Sequence, residues 1–202
     1  MIKLFVRRRH TLFGMSNVQI VNTAICIILG FGAISHAGAQ QADKRIDEIR
    51  RLYKEVTEQI STAEKEKPYS TIFCDELVRN VNENPWPAVG IFKSVTKAHY
   101  TFSRREGEPY PNKLLQITVA TQRSDRHEYA EYLFNASGQL VFALEKPDDD
   151  PNNESRYYFA NGRPIRIIRD QKILKVPNGA DLKSAQEALA EGLRLRRLFV
   201  LG

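Results

Sequence analysis

The sequence predicts an α+β fold: an antiparallel meander of about six or seven strands, flanked by an N-terminal and a C-terminal helix. Three observations carry this. Helical periodicity occupies residues 42–67 and 181–200. Between them, over 69–176, the apolar pattern alternates. Two short turns, at Asn161-Gly162 and Asn135-Ala136-Ser137-Gly138, join runs rich in Tyr, Phe, Leu and Ile, as between neighbouring antiparallel strands.

The chain opens with the three parts of a secretory signal. Arg7, Arg8 and Arg9 form a basic start, residues 18–34 are mostly apolar, and Ala37-Gly38-Ala39 offers a small-x-small cleavage site. Residues 1–39 are therefore expected to be removed, leaving 40–202 as one domain. The rival is an uncleaved anchor. Its apolar stretch is short for a span of about 20 residues, and Asn22 and Thr23 interrupt it. Cys26 lies within the apolar run without a lipobox before it, which argues against lipidation.

Export changes the meaning of the charge. The full chain carries a formal +6. Residues 1–39 hold Lys3, Arg7, Arg8 and Arg9 and no acid, so the remainder has 26 basic against 24 acidic side chains, a net of +2. That balance gives little attraction to phosphates, so nucleic acid is not an expected partner. Cys74 is the one cysteine after processing. It cannot form an internal disulfide and is expected to be a small buried hydrophobe.

In the first helix, Ile46, Ile49, Tyr53, Val56, Ile60 and Ala63 share a stripe, with Leu52 beside it. Asp43 suits an N-cap and Pro68 a stop. The stripe lasts fewer than three heptads, so docking on the protein's own sheet is favoured over a coiled coil. Strands are expected at 70–80, 91–104, 113–123, 127–135, 139–146, 155–160 and 163–169. Val141 and Ala143 lie opposite Phe142 and Leu144, so the sheet should be covered on both faces. The cover is the second helix, with Leu182, Ala185, Leu189 and Leu193 on one side. Arg194, Arg196 and Arg197 suit the negative end of its dipole.

The hairpins at 131–142 and 156–168 repeat a Tyr-x-Phe-x-x-Gly-x-Leu kind of pattern at an offset of about 25 residues. With the export signal and the charged helix, this resembles uncharacterised exported bacterial proteins with aromatic β-hairpin units. It is also similar to glycine-turn repeats of the MORN type, whose regular glycines are missing. The resemblance implies no activity, substrate or site.

Chemistry leaves few signals. His99 and His127 read as surface histidines, and no zinc, nucleophile-elbow or phosphate-loop motif occurs. A Cys74–His dyad would need a spatial coincidence. Asp148, Asp149, Asp150 and Glu154 have the oxygens for weak calcium binding but lack its ligand spacing, so a solvated loop is expected. Trp86, between Pro85 and Pro87, and Tyr110, between Pro109 and Pro111, are stiffened aromatics and the candidate ligand-binding residues. For Trp86 the alternative is folding back against the core.

The functional expectation is an exported, non-enzymatic envelope or secreted binding module, periplasmic or extracellular. It would have no cofactor, no membrane span after processing, and a protein, peptide or glycan partner. The alternative is a small exported hydrolase with dispersed acidic catalytic residues.

Overall fold

The computed structural model describes residues 17–66, 70–87, 90–101, 113–147 and 153–199, with side chains from Gln40 onward. The elements are α1 (Asn17–Lys65), β1 (Ile72–Arg79), β2 (Phe92–Thr101), β3 (Lys113–Arg123), β4 (Arg126–Phe134), β5 (Leu140–Lys146), β6 (Ser155–Ala160), β7 (Arg163–Arg169), β8 (Lys172–Ile173) and α2 (Gly179–Phe199). Residues 1–42 and 43–202 form two units. The second holds the entire sheet and the helical residues that pack on it. Among residues with described side chains, no helix is long and apolar enough to cross a membrane.

All eight strands pair in chain order, each antiparallel to the next, so the α+β meander is as the sequence predicts, with one strand more. The extra strand, β8, has two residues and follows Asp170 and Gln171, both at positive φ (49° and 64°). No glycine marks that turn, so composition does not announce it. Asn161 (51°) and Gly162 (71°) both adopt positive φ, as the two-residue hairpin requires. In the other predicted turn Gly138 has φ of 70°, and Asn135 Oδ1 accepts bonds from Ser137 N–H and Gln139 N–H.

The first helix begins earlier than 42. It is helical from Asn17, because no proline or turn-forming cluster interrupts the chain before Asp43. Asp43 is thus interior rather than an N-cap, and its carboxylate pairs with Arg166 of β7 at 2.5 Å. At α2 the reverse holds. Asn178 accepts from Asp181 N–H at 2.9 Å and Asp181 from Asn178 N–H at 3.0 Å, a reciprocal cap completed by Arg169 at 2.7 Å from the Asp181 carboxylate.

Each face of the sheet has its own core. On one, Ile46, Ile49, Val56 and Ile60 of α1 pack with Leu133, Phe142, Leu144, Tyr158 and Ile168. On the other, Ala185, Ala188 and Leu195 of α2 meet Ile117, Tyr132, Phe134, Tyr157 and Phe159. The α2 stripe differs from the expected one: Leu182 and Leu193 are exposed, while Ala185, Ala188, Gly192 and Leu195 are buried. The aromatic rings on this face of the sheet already fill the space. Small side chains at 185, 188 and 192 let the helix approach, and a Cβ on Gly192 would lie 2.7 Å from Tyr132 and 2.8 Å from Leu140.

Two further expectations fail. Cys74 is exposed, because it lies on edge strand β1, most of whose residues face solvent. His99 is buried at 6% exposure, one strand further in, while His127 is exposed.

Candidate functional site

Strand alternation puts Tyr129, Glu131 and Leu133 of β4 on the same face as Phe142, Leu144 and Lys146 of β5 and Arg156 and Tyr158 of β6. Register then aligns them in rows. Leu133, Phe142 and Tyr158 are consecutive partners, as are Glu131, Leu144 and Arg156, and Tyr129 pairs with Lys146. Residues 49, 50 and 53 of α1 lie over these rows. Between helix and sheet is a cavity of about 370 Å³. Ile49, Phe142 and Leu144 supply apolar wall, Tyr53 and Tyr158 aromatic wall, and Arg50, Lys146, Arg156, Glu131 and Glu154 the charges.

Glu131 is the organising group of this cavity. Its carboxylate accepts from Tyr53 Oη at 2.7 Å, Tyr129 Oη at 2.8 Å and Gln116 Nε2 at 3.2 Å. Burial first, and the Glu131 charge second, push both phenols above the usual tyrosine range. They therefore remain neutral donors. Three of the roughly four lone-pair directions of Glu131 are taken, which makes a rigid floor.

The remaining groups are held in the same way. Glu154, 5% exposed, pairs with Arg156 at 2.5 Å. Tyr53 and Tyr158 each meet the Phe142 ring edge-on, with centroids 5.2 and 5.1 Å apart. The Arg50 guanidinium lies 5.9 Å from the Tyr158 ring centroid. Its pKa is raised, first by its bond to the Tyr158 hydroxyl.

A second cavity, of about 400 Å³, lies on the α2 face and includes Val119, Thr121, Glu128, Tyr132, Glu145 and Glu191 in its lining. Glu128 has Arg123 at 3.4 Å and Glu191 has Arg194 at 2.6 Å. Glu145 differs. Burial raises its pKa, Glu187 and Glu191 raise it further, and a bond from Tyr157 works against them.

The residues singled out in the sequence lie elsewhere. Trp86 is 40% exposed, hydrogen-bonds with Gly90 through its backbone in both directions, and packs its ring at a tilt against Phe92, with centroids 4.5 Å apart. It neither stands free nor enters the two cores. Tyr110, Asp148, Asp149 and Asp150 lie outside the described residues, and Glu154 is committed to Arg156. Among the described residues, no group of three His, Cys, Asp or Glu is arranged for a metal ion. The β1–β2 register does bring Cys74 opposite His99, the coincidence a dyad would need. Neither residue lines the two cavities.

Sequence reasoning passed over Glu131, Tyr53, Tyr129, Gln116 and Glu145. For Glu131 a signal existed: it shares parity with Leu133, so a carboxylate stands on an apolar face and must find donors there. Comparison with protein families, curated proteins and solved structures finds no match to this chain.

Proposed function

We propose that this chain is an exported, non-enzymatic binding module whose ligand occupies the cavity between α1 and the sheet. The observation that carries the reading is the floor of that cavity. The Glu131 carboxylate at its base is held by three fixed donors, while aromatic and aliphatic walls surround an open volume of about 370 Å³. Ligand sites have this composition and are largely pre-formed. The export half of the proposal rests on the signal pattern of residues 1–39.

The test is an NMR fragment screen on the purified chain, with amide shift changes mapped by residue. Binding should perturb Tyr53, Glu131, Phe142 and Lys146 together, and Leu144→Trp, which fills the volume, should abolish it. Shifts scattered over the surface, or none, would end the proposal without reference to the variant. Mass spectrometry of the secreted protein tests export: residues before Gln40 should be missing.

A hydrolase is the second reading, and Glu145 favours it. A half-buried carboxyl of raised pKa beside a paired carboxylate is the combination that acid–base catalysis uses. Turnover of chromogenic esters or glycosides that falls at least a hundredfold in Glu145→Gln would support this reading. A wild-type chain inert to the whole panel would remove it.

A further inference from the structure

Resting on the reading of the α1 cavity as a ligand site, we infer that its ligand is a small organic carboxylate with an apolar body. Three cations, Arg50, Lys146 and Arg156, line the cavity against two carboxylates, Glu131 and Glu154. Both carboxylates are already satisfied. Glu154 is neutralised by Arg156 at 2.5 Å, and Glu131 is held by Tyr53, Tyr129 and Gln116. The oxygens of both are thus engaged by groups of the protein itself.

The cations are less fully matched. Besides its bond to the Tyr158 hydroxyl, a neutral partner, Arg50 pairs among the described residues with the exposed Asp47 at 3.4 Å, which does not line the cavity. Lys146 is half-buried and makes no ion pair among the described residues. An anion placed between them would gain an ammonium and a guanidinium whose fork matches a carboxylate.

The aromatic walls do not reverse this preference. Arg50 already lies over the Tyr158 ring, and Tyr53 meets Phe142 in a T-shaped contact, so both rings are already engaged within the protein. Ile49, Phe142 and Leu144 instead offer hydrocarbon contact for an alkyl or aryl body. The volume lies near the lower end for ligand sites, which limits that body to a small one.

The test uses three probes of one shape and different charge: octanoate, octanamide and octylammonium. Affinities are measured by calorimetry on the purified chain and on Lys146→Gln. Octanoate should bind about tenfold or more tightly than octanamide, with octylammonium weakest. Lys146→Gln should bring octanoate toward the amide, closing most of the gap between them. Lys146 lies at the end of β5 and belongs to neither buried core, so the variant should retain the fold. Equal affinities, a preference for the ammonium, or a preference that survives Lys146→Gln would overturn the assignment. If none of the three binds while other fragments shift Tyr53 and Phe142, the carboxylate assignment falls and the binding site stands. If nothing binds there, both fall.

Discussion

The two faces of the sheet are built on different rules. Under α2 the helix contributes Ala185, Ala188 and Gly192, and it approaches the strands more closely than α1 does. Under α1 the helix contributes Ile46, Ile49, Val56 and Ile60, and these long side chains hold it off the sheet. Stand-off leaves room for a polar floor and an open volume beside the apolar contacts. Close approach leaves neither room nor tolerance at the contact. A helix's contact residues thus set more than its stability; their size decides how much space is left directly beneath it, and the α2-face cavity, with Glu191 in its lining, lies beside the tight contact at Gly192.

The largest effects should come from emptying the tight face. Phe159 is fully buried there, and Phe159→Ala should lower stability by about 3–5 kcal/mol. On the open face, Ile46→Ala should fall within about 2–5 kcal/mol, and Ile49→Ala below it, because Ile49 already borders the cavity. Urea denaturation of the three variants checks the order. An Ile49 cost equal to that of Phe159 would break the contrast between the faces.

Next comes overpacking. Gly192→Ala should destabilise by about 1–3 kcal/mol despite alanine's better helix propensity, because its Cβ meets Tyr132 and Leu140. A rise in melting temperature would show that α2 is less tightly seated than the distances indicate. Glu131→Gln, on the other face, should cost about 1–3 kcal/mol by upsetting three hydrogen bonds. It should also lower the pKa of Tyr53 and Tyr129, since the Glu131 charge raises both, and ultraviolet titration of the phenols would detect this. Unchanged phenol titration would remove Glu131 from its organising place.

The pH dependence of the α2 face comes from Glu145. Its folded-state pKa lies above the ordinary 4.5, so the folded protein holds the proton more tightly than the unfolded chain. The resulting stability is fully present below that ordinary value and is lost as pH rises through the folded-state value. Denaturation curves across this range should show the decline, and Glu145→Gln should flatten it. The smallest effect belongs to the exposed surface. Lys54→Ala, which breaks a 3.8 Å pair with Glu58, should stay within about 0.5 kcal/mol of the parent.

Much of this architecture is legible in the chain because its cues are local. Alternation around Tyr132, Phe142 and Ile167 marks strands, and Asn161-Gly162 marks a hairpin, within a few neighbouring residues. Where a cue depends on a distant partner, the reading errs. Leu182 and Leu193 look like core residues until α2 turns Ala185, Ala188 and Gly192 to the sheet, with Gly192 tight against Tyr132 and Leu140. Cys74 looks like a core residue until its strand proves to be the edge.

By itself, then, the sequence determined the elements, their order and the antiparallel meander, because residue periodicity and turn chemistry act over short stretches of backbone. Only the tertiary structure decided which helix face is buried, how near each helix comes, and that Glu131 meets Tyr53 across 78 positions of chain. Those outcomes depend on volumes and registers contributed by many strands together. The cavity arises from them, since empty space has no residue of its own to announce it.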